Sequence, residues 1–368
     1  MTSDIKAVIV TNVPAPYRVP VWRRVAETDG IDLELVFCAQ PHIDTSTDPT
    51  DYGFKLNFLA GRYYAMQRRF MHFDLHVWQL LSRLRPDVVI TTGYIPTFLI
   101  AFLWTQRFGV PHIAMTDGTL QSEKILTWLH RLVRRVVLAR SKAFVGACQG
   151  SRALFRYFGV ADQHIHLACL ATDNARFSTL PATDGADFIF CGRFVAHKQP
   201  LFVLHVAKGV ALRLGRKIRV DFVGNGEMVA QIRKLGEELQ EHVICRFHGY
   251  VSQDELPYRY ADAKIFMFPT EWDPWGVVAN EACAAGLPVL VSPYAGVASE
   301  LVVDNFNGFV RELQVELWVD AAIKLLEDTD LYQRFSANSR LQVSQYNFDQ
   351  SADGLIQAIQ QAATESNP

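Results

Sequence analysis

Short, unbroken runs of apolar residues alternate along the chain with longer stretches in which apolar residues recur every three or four positions. The unbroken runs are rich in Val, Ile and Phe, which is typical of strands buried on both faces of a parallel sheet. Ten strands are predicted from them: Ala7–Thr11, Leu33–Cys38, Val88–Thr92, His112–Met115, Ala143–Gly146, Phe188–Cys191, Val220–Val223, Val243–Phe247, Ile265–Phe268 and Val289–Ser292. The helical periodicity predicts helices at Arg18–Thr28, Phe73–Arg83, Leu126–Arg140, Pro200–Leu214, Met228–Gln240, Val277–Ala285, Leu317–Glu327 and Asp349–Ala363.

The alternation of strand and helix predicts a doubly wound α/β fold. The pattern occurs twice, and the polar segment Leu180–Asp187, which contains Pro and Gly, separates the two copies. At 368 residues the chain is also longer than a single core usually supports. We therefore predict two Rossmann-like parallel-sheet domains that face a cleft, at residues 1–180 and 181–345, and a C-terminal helix at 346–368 that packs back across the domain boundary.

Hydrophobic residues make up 49% of the chain and charged residues 20%, as in ordinary globular proteins. The net charge of −2 conceals a difference between the halves: residues 1–178 contain 20 Lys and Arg against 14 Asp and Glu, and the remainder contains 16 against 24. This asymmetry predicts that the two halves meet different partners. Nucleic acid is not expected to be one of them, because the overall charge is negative and no recognition motif occurs.

The six cysteines are scattered and mostly lie in apolar runs, which favours neither a disulfide framework nor a zinc site and indicates a reducing compartment. The N-terminus enters a strand without the layout of a signal peptide. The most apolar stretch, 88–104, is interrupted by Gly93 and Pro96, so it predicts a strand, a turn and a core helix rather than a membrane span. A cytoplasmic protein is therefore expected.

Ligands of parallel α/β sheets bind beyond the carboxyl ends of the strands, so the loops after the strands are where chemistry is expected. Gly192, Arg193 and Lys198 follow one strand, and the two cations suit phosphate oxygens, although such residues near a helix start are more often simply solvated. Gly224 and Gly226 follow the next strand and let backbone approach a ligand. Neither this loop nor the glycine-free NVPAPYR after the first strand is a G-x-G-x-x-G, which disfavours a dinucleotide oxidoreductase.

The segment Phe268–Ser292 (FPTEWDPWGVVANEACAAGLPVLVS) carries the most informative pattern. Asp273 precedes a predicted helix, and Glu281 lies within that helix eight residues later. Gly276 leaves backbone N–H groups near the helix N-terminus free for a phosphate. Glu281 lies one turn deeper, where a carboxylate can accept hydrogen bonds from a diol. Either carboxylate alone would be explained as a helix cap or a surface charge, so the prediction depends on the combination.

This segment resembles family 4 of the glycosyltransferases, the retaining group with the GT-B fold. That family carries a Glu, seven residues, Glu motif followed by Ala-x-Ala-x-Gly-x-Pro-Val, and here Asp273 and Glu281 are followed by ACAAGLPV, Ala282–Val289. The resemblance covers about Phe188 to Arg340, and the first half is similar only in its general layout. It also rests on the ordered motifs Gly192-Arg193…Lys198, Gly224-x-Gly226, His248-Gly249-Tyr250-Val251, Gly296…Glu300 and Asn307-Gly308.

The resemblance implies a role for each matching residue. Arg193 and Lys198 would hold the diphosphate and neutralise it as the glycosidic bond breaks, and Asp273 would bind hydroxyls of the transferred sugar. Glu281 would accept hydrogen bonds from the ribose. The implied donor-binding set is Gly192, Gly224, Gly226, Tyr250, Val251, Trp275, Gly276, Val277 and Glu281, in which backbone around Tyr250 and Val251 would flank the base.

Two departures from the family pattern concern sugar contacts. Asp273 is one methylene shorter than the usual Glu, and Glu271 is a competing candidate, although the Trp-Gly spacing favours Asp273. A first-half histidine that faces the donor in the family is replaced by Asp117. Asp117 is therefore a candidate for acceptor binding or for lining the cleft, together with Tyr17 and Arg18 of the proline-fixed loop PAPYR. A rigid strand-to-helix connection explains that loop equally well.

The stretch Leu126–Lys142 combines an apolar stripe and Trp128 with several cations, as in helices that lie on anionic membranes. A helix packed on the sheet would show a similar pattern. Together with the positive first half, the stretch predicts peripheral contact with the inner face of the cytoplasmic membrane and a lipid-linked glycan as acceptor.

The resemblance predicts a retaining, nucleotide-sugar-dependent hexosyltransferase of bacterial polysaccharide or lipopolysaccharide assembly. The nucleotide-diphosphate-sugar is a substrate, and no cofactor is expected. No metal is expected either, because Arg193 and Lys198 supply positive charge and the D-x-D of Asp328 and Asp330 is predicted to be a helix-end turn. A nucleotide-sugar epimerase on the same fold and a donor-binding protein without catalysis are the alternatives, and the base, the sugar and the acceptor are left open.

Overall fold

A computed structural model describes residues 4–39, 52–66, 69–123, 126–180 and 185–365. The chain forms two compact units. Unit 1 consists of Met1–Ala171 and Phe348–Pro368, and unit 2 consists of Thr172–Asn347. The sequence predicts the two divisions after residues 180 and 345, whereas the structure has them after residues 171 and 347.

The strands of both units are parallel apart from one hairpin, and they begin and end at the following residues. They are β1 (Ile5–Thr11), β2 (Ile31–Phe37), β3 (Lys55–Phe58), β4 (Arg62–Met66), β5 (Arg69–Phe73), β6 (Val88–Thr91), β7 (His112–Thr116), β8 (Ala143–Gly146), β9 (Ile165–Leu167), β10 (Ala186–Cys191), β11 (Ile218–Val223), β12 (Val243–Gly249), β13 (Ala263–Phe268), β14 (Val289–Val291) and β15 (Gly308–Val310).

The helices connect successive strands and close each unit. They are α1 (Val19–Ala26), α2 (His76–Leu84), α3 (Pro96–Phe108), α4 (Leu120–Glu123), α5 (Trp128–Leu138), α6 (Gln149–Tyr157), α7 (Asn174–Ser178), α8 (Pro200–Leu214), α9 (Val229–Glu238), α10 (Leu256–Ala261), α11 (Val277–Ala285), α12 (Val315–Glu327), α13 (Thr329–Val343) and α14 (Phe348–Thr364).

Unit 1 is built on a parallel sheet with the strand order β3-β2-β1-β6-β7-β8-β9, and β4 and β5 form a separate antiparallel pair. Helices α1 and α14 pack on one face of this sheet. Helices α2 and α3 cover the other face around Val8, Val10 and Val89. The strand order reverses between the neighbours β1 and β6, which marks the place where a doubly wound sheet binds ligands.

Unit 2 is built on a parallel sheet with the order β12-β11-β10-β13-β14-β15. Its largest core cluster lies between this sheet and α8, α9 and α12, with Phe190, Phe222 and Trp318 among the fully buried side chains. Here the order reverses between β10 and β13. Two parallel, doubly wound units confirm the predicted fold class.

Several elements differ from the sequence prediction. All ten predicted strands are present, but β3, β4, β5, β9 and β15 were not predicted, because they are short or lack an unbroken apolar run. The helix predicted from Phe73 begins at His76, since buried Asp74 accepts the backbone N–H of His76 at 2.8 Å. Within the predicted linker, residues 181–184 lie outside the described residues. Asp187 belongs to β10, where its buried carboxylate binds Arg216.

Candidate functional site

Two loops of unit 2 meet where the strand order reverses, one after β10 and the other after β13. Lys198 of the first loop and Asp273 of the second form an ion pair between their side chains, both of which are largely buried. The Lys198 ammonium also lies 5.3 Å from the centre of the Phe268 ring. Two residues predicted from separate motifs are thus in direct contact, although 75 positions separate them in the sequence.

Both carboxylate oxygens of Asp273 have partners. Oδ2 binds Lys198, and Oδ1 accepts the backbone N–H of Trp275 at 3.1 Å. The competing candidate Glu271 is exposed and accepts a hydrogen bond from Gln199 at 2.7 Å. Asp273 therefore orients Lys198 and the start of the next helix, whereas Glu271 lies on the rim of the loop.

Helix α11 presents its N-terminus to this loop. Gly276 precedes the helix in the left-handed region with φ 103°, and an added Cβ would overlap the ring of Phe268, so only glycine fits. Within the described residues, the backbone N–H groups of Gly276 and Val277 have no acceptor. Two donors at a helix N-terminus suit an anion such as phosphate.

The side chain of Trp275 has a structural role that its motif position did not indicate. It is fully buried, its indole N–H donates to Asn280 at 2.8 Å, and its ring packs 5.4 Å from Tyr346. Its backbone N–H is already bound to Asp273. The expected donor contact through the Trp275 N–H therefore requires that bond to be exchanged.

Glu281 lies on α11 with its carboxylate buried. Tyr260 of α10 donates its hydroxyl hydrogen to Glu281 Oε2 at 2.8 Å. Burial raises the pKa of Glu281 to about 7, and the hydrogen bond from Tyr260 opposes that rise. The carboxyl group is thus poised between its two protonation states near neutral pH, which is unusual for glutamate.

Tyr260 and Cys191 complete this cluster and were not predicted. Burial raises the pKa of both groups, and the negative charge of neighbouring Glu281 adds to the rise. Cys191 ends the predicted strand Phe188–Cys191, and its apolar surroundings in the sequence indicate no such cluster. Tyr260 lies in LPYRYA, which has no spacing that relates it to Glu281, so only the tertiary structure reveals the pair.

Arg193 is exposed at the exit of β10, one position after Gly192. Burial, and then the charges of Lys198 and Arg193, lower the pKa of the intervening His197. His197 is therefore neutral at pH 7. The positive charge of this loop comes from the arginine and the lysine.

The glycines of these loops allow close approach of backbone to backbone. A Cβ on Gly224 would overlap the carbonyl oxygen of Gly192, and one on Gly226 would overlap that of Phe194. The backbone N–H of Phe194 also donates to the carbonyl of Asn225 at 2.9 Å, and the carbonyl of Phe194 accepts the N–H of Met228 at 3.0 Å. Gly224 and Gly226 thus fix the loop after β10. Gly192 has open space at its Cβ position and a φ of 143°.

The segment after β12 places Tyr250 and Val251 differently. Tyr250 is 77% exposed, whereas Val251 is buried. The carbonyl of Gly249 accepts the Gly224 N–H at 2.7 Å, which ties this segment to the loop after β11. Both predicted residues therefore lie at the carboxyl edge of the same sheet as Arg193 and Asp273.

Other motif residues hold the fold together. Gly286 ends α11 with φ 81°, and an added Cβ would overlap the Arg340 guanidinium, which itself binds the carbonyl of Ala285. Gly308 lies against the carbonyl of Val289 in the neighbouring strand. Buried Asn307 bridges Leu301 and Val303 through its amide. These motif positions are explained by packing.

In unit 1 the three remaining candidates line one cavity. Tyr17, Arg18 and Asp117 surround a volume of about 170 Å³ after β1, β6 and β7. Arg18 and Asp117 form an ion pair, with exposed side-chain fractions of 10% and 37%. The Arg18 guanidinium also lies 6.0 Å from the centre of the Tyr17 ring. The structure therefore places Tyr17, Arg18 and Asp117, which the sequence nominated as one group, around a single cavity.

Helix α5 presents its apolar stripe to solvent. Trp128 is 74% exposed, and Leu129, Leu132 and Val136 are exposed beside it. Arg134 is turned inward instead, where it pairs with buried Glu123 and lies 4.8 Å from the centre of the Tyr94 ring. Only Val137 and Leu138, at the end of the helix, are buried. The interpretation of this helix as core is thus wrong for most of its length.

The D-x-D segment is a helix start. Asp328 accepts the Leu331 N–H at 2.9 Å and so caps α13. In the ranges that the structure describes, no group of three or more His, Cys, Asp or Glu side chains could hold a metal ion. None of the described helices combines the length and the hydrophobicity that a bilayer crossing requires.

Two family models match consecutive parts of the chain. The model of glycosyl transferases group 1 matches residues 171–342, and that of a glycosyl transferase 4-like domain matches residues 8–170. The division between the two matches coincides within two residues with the boundary between Ala171 and Thr172.

Among curated relatives, a GDP-mannose-dependent alpha-(1-6)-phosphatidylinositol monomannoside mannosyltransferase of Mycobacterium tuberculosis is 36% identical over 118 residues. The match covers 29% of this chain and 30% of that protein, so the chain spans under a third of this relative's length. The sequence similarity thus extends over only part of the relative.

Solved structures are similar over the whole chain. Anabaena HepE in complex with UDP and glucose is 13% identical and has a TM-score of 0.77, over 97% of this chain and 99% of that one. WaaG, a glycosyltransferase involved in lipopolysaccharide biosynthesis, is 15% identical with a TM-score of 0.70, over 96% and 99% of the two chains. At these identities the likeness concerns the fold, and it confirms the predicted GT-B class.

Proposed function

The chain belongs to the family 4-like glycosyltransferases with the GT-B fold, and from this membership we propose that it transfers a sugar from a nucleotide-diphosphate-sugar to a glycan or lipid-linked glycan. Unit 2 would bind the donor and unit 1 the acceptor. The single observation that carries the proposal is the cluster at the β10–β13 reversal, where Lys198, Asp273 and the start of α11 converge.

The donor's diphosphate fits the positive side of this cluster. Arg193 is exposed and supplies a fork of donors, Lys198 supplies a compact charge, and Gly276 and Val277 offer backbone N–H groups. These groups stabilise negative charge that grows on the leaving diphosphate as the glycosidic bond breaks, which is the interaction that accelerates a reaction. We propose that they act without a metal ion.

Glu281 would accept hydrogen bonds from the ribose hydroxyls, and backbone around Tyr250 and Val251 would flank the base. Asp273 would contact the transferred sugar. Because both of its oxygens already have partners, that contact requires Asp273 to exchange a bond with Lys198 or Trp275, or to share one.

Transfer would proceed with retention of configuration. The bond between the anomeric carbon and the diphosphate oxygen breaks, and the acceptor hydroxyl oxygen bonds to that carbon from the same face. The hydroxyl proton passes to the departing phosphate oxygen, so the products are the glycosylated acceptor and a protonated nucleoside diphosphate. Lys198 and Arg193 assist by stabilising the leaving group.

For the acceptor we propose a lipid-linked or cell-surface glycan precursor reached from an anionic membrane. The exposed stripe of Trp128, Leu129, Leu132 and Val136 on α5 would lie in the interfacial region, with Arg135 and Arg140 near the lipid phosphates. This contact rests on charge complementarity and on exposed apolar area at one helix face.

Calorimetric titration with UDP, GDP and ADP tests the donor site. Glu281→Gln should weaken binding of the preferred nucleotide about 10- to 100-fold, because a charge-assisted hydrogen bond contributes roughly 1.5–3 kcal/mol. Glu237→Gln, an exposed change on α9, is the matched control and should bind like the parent. A folded Glu281→Gln variant with the parent's affinity would remove Glu281 from the site, and a parent that binds none of the three nucleotides would refute the proposal.

A further inference from the structure

We propose that a groove between β3 and α2 of unit 1 binds a soluble sugar phosphate, whose phosphate group is held by Arg83 and His76. The groove is bounded by residues 57–60 at the end of β3 and by one face of α2. This inference goes beyond the proposed function, because a ligand bound here takes no part in sugar transfer.

The groove lies at the outer edge of the unit 1 sheet. β3 is the terminal strand of the sheet, and β2 and β1 lie between it and the point where the strand order reverses. The groove shares no lining residue with the cavity around Tyr17, Arg18 and Asp117. Doubly wound sheets bind their main ligands at the reversal, so this groove is a separate site.

The face of α2 that borders the groove combines polar and apolar side chains. His76, Gln79, Leu80 and Arg83 follow one another at spacings of three, one and three residues, which places them on one side of a helix. Leu80 is buried, whereas the other three residues are exposed. The helix therefore offers three polar side chains beside an apolar base.

Arg83 is a cation without a counter-charge. It is exposed, and among the described residues its guanidinium forms neither a hydrogen bond nor an ion pair. Arg156 of the same unit is exposed as well but pairs with Asp162. No acidic side chain is among the described residues that line the groove. An unpaired guanidinium fork suits the oxygens of a phosphate.

His76 is held in one orientation by a buried carboxylate. Asp74 is 3% exposed, and its Oδ1 lies 2.8 Å from the backbone nitrogen of His76 and 2.7 Å from Nδ1 of its ring. A carboxylate only accepts hydrogen bonds, so Nδ1 carries the hydrogen of this contact. Nε2 has no partner among the described residues. The ring is thus fixed by one nitrogen, and the other is available to a ligand.

The charge that a ligand meets is positive. Two carboxylates contact residues of the groove, and both are buried and already hydrogen-bonded. Glu34 accepts from the side-chain amide of Asn57 at 2.5 Å, and Asp74 accepts from His76. Arg83 and a protonated His76 face the ligand directly, and an anion is therefore favoured over a neutral molecule.

The rest of the groove suits a sugar ring. Its volume is about 430 Å³, which lies within the range of about 300–1,000 Å³ that is typical of small-molecule sites. Phe58, Leu59 and Leu80 give it apolar area against which the C–H face of a ring can pack. Gln79 can bond hydroxyls as donor and as acceptor. Phosphate alone would leave this part of the groove unused.

The test uses the full chain with ¹³C-labelled histidine rings, which give one NMR signal for each of the eleven histidines. His76→Gln identifies the His76 signal, and exposed His205 on α8 is the internal reference. The probes are glucose 6-phosphate, mannose 6-phosphate, glucose 1-phosphate, glucose, and dihexanoyl-phosphatidylglycerol below its micellar concentration. We expect at least one sugar phosphate to move the His76 signal saturably, while glucose leaves it in place and His205 is unaffected.

Arg83→Ala tests the charge argument. Losing the charge-assisted hydrogen bonds of the guanidinium should weaken the response of the His76 signal to the sugar phosphate about tenfold or more. Arg135→Ala is the matched control, because Arg135 is also an exposed arginine in the last turn of a unit 1 helix and should leave the response unchanged.

Three results overturn the inference. They are a His76 signal that responds to no sugar phosphate, an Arg83→Ala variant with the parent's affinity, and a response to glucose or to phosphatidylglycerol as strong as that to any sugar phosphate. The last result would assign the groove to neutral sugars or to lipid headgroups instead.

Binding of UDP and GDP is measured on the same samples, and Arg83→Ala should bind them like the parent. A parent that binds nucleotide but no sugar phosphate in the groove overturns this inference and leaves the proposed function standing. A parent that binds sugar phosphate in the groove but no nucleotide has the opposite meaning.

Discussion

Tyr260 and Glu281 form a buried donor–acceptor pair with 2.8 Å between the two oxygens, and the sequence gives no indication of it. Since a carboxylate accepts hydrogen bonds from ribose hydroxyls more strongly than a protonated acid does, nucleotide binding should depend on the ionisation of Glu281. The pKa of Glu281 is about 7, so affinity should be full above that pH and fall as the pH drops through it.

Tyr260→Phe should shift this dependence to higher pH. The change removes the O–H donor that stabilises the carboxylate, so the pKa of Glu281 rises, by about one unit if the lost hydrogen bond contributes about 1.4 kcal/mol. Calorimetric affinities from pH 5.5 to 9 measure the midpoint. Tyr258→Phe on the same helix is the control, because Tyr258 is 62% exposed.

The midpoint is informative because a purely structural role for Tyr260 would lower affinity equally at every pH. The same outcome would contradict our account of the pair. Glu281→Gln should abolish the pH dependence associated with this group, since an amide does not titrate in the range.

At the scale of single residues, the sequence predicted the site residues that belong to a motif of fixed spacing. Asp273, Glu281 and Lys198 were nominated by position relative to strands. Asp273 and Lys198 are in direct contact, and Glu281 lies on the helix α11 that starts after Asp273. Tyr260 and Cys191 were missed because their relation to Glu281 exists only between elements that are far apart in the sequence. The glycines at 224 and 226 were recognised as sites of close approach, but the structure shows backbone of the neighbouring loop in contact with them.

Helix α5 shows what the apolar periodicity of an element can and cannot decide. Its stripe predicts an amphipathic helix equally well for a sheet and for a membrane as partner. Exposure of Trp128 and Leu132 excludes the sheet as the partner of this part of the stripe, and Arg134 is turned toward Glu123. The charged face predicted from the sequence therefore includes one arginine that is unavailable to lipid.

Trp128→Ser with Leu132→Ser should reduce binding to vesicles that contain phosphatidylglycerol at least tenfold. Each side chain would lose about 1.5–3 kcal/mol of apolar burial, and 1.4 kcal/mol corresponds to a factor of ten. Sedimentation at low and high salt measures the effect, because the contribution of Arg135 and Arg140 is screened by salt. Leu103→Ser on α3, also an exposed leucine, is the control.

Failure of the parent protein to bind these vesicles at low salt would remove the membrane from the account. Equal loss with Leu103→Ser would show that general surface hydrophobicity, and not α5, is responsible.

Three of the five missed strands, β3, β9 and β15, lie at the edge of a parallel sheet. β9 and β15 have three residues each, and β3 is an exposed edge strand with the sequence KLNF. An unbroken apolar run identifies a strand only when both faces are buried, so edge strands are the ones that this pattern overlooks.

At the scale of the whole molecule, the chain order and the folded units differ at the C-terminus. Helix α14 follows unit 2 in sequence but packs on α1 and the sheet of unit 1, with Leu355, Ala358 and Ile359 fully buried. The sequence predicts a C-terminal helix at 346–368 that packs back across the domain boundary, and α14 belongs to unit 1. The first boundary lies at 171/172 because α7 packs on α10 and α11 of unit 2, a long-range relation that local polarity at Leu180–Asp187 did not indicate.

Leu355→Ala should therefore destabilise unit 1 although the residue lies after unit 2 in the sequence. Deleting a buried leucine side chain costs about 3 kcal/mol, which corresponds to a fall of about 10 °C in Tm. Scanning calorimetry with and without nucleotide distinguishes the units, since nucleotide raises only the transition of the unit that binds it. Gln360→Ala, exposed on the same helix, is the control, and a shift confined to the nucleotide-sensitive transition would contradict this assignment.

The central claim, sugar transfer from a nucleotide donor, is tested most directly by turnover. The protein is incubated with a panel of UDP-, GDP- and ADP-sugars, with and without a bacterial extract of glycolipids and glycans. The amounts of released nucleoside diphosphate and of glycosylated product are measured. Lys198→Ala serves as the impaired control. Our account predicts that one donor is consumed only with acceptor, that product equals released diphosphate, that the anomeric configuration is retained by NMR and that EDTA has no effect. Donor consumption that is equally fast without acceptor would contradict it, and so would a product with inverted configuration.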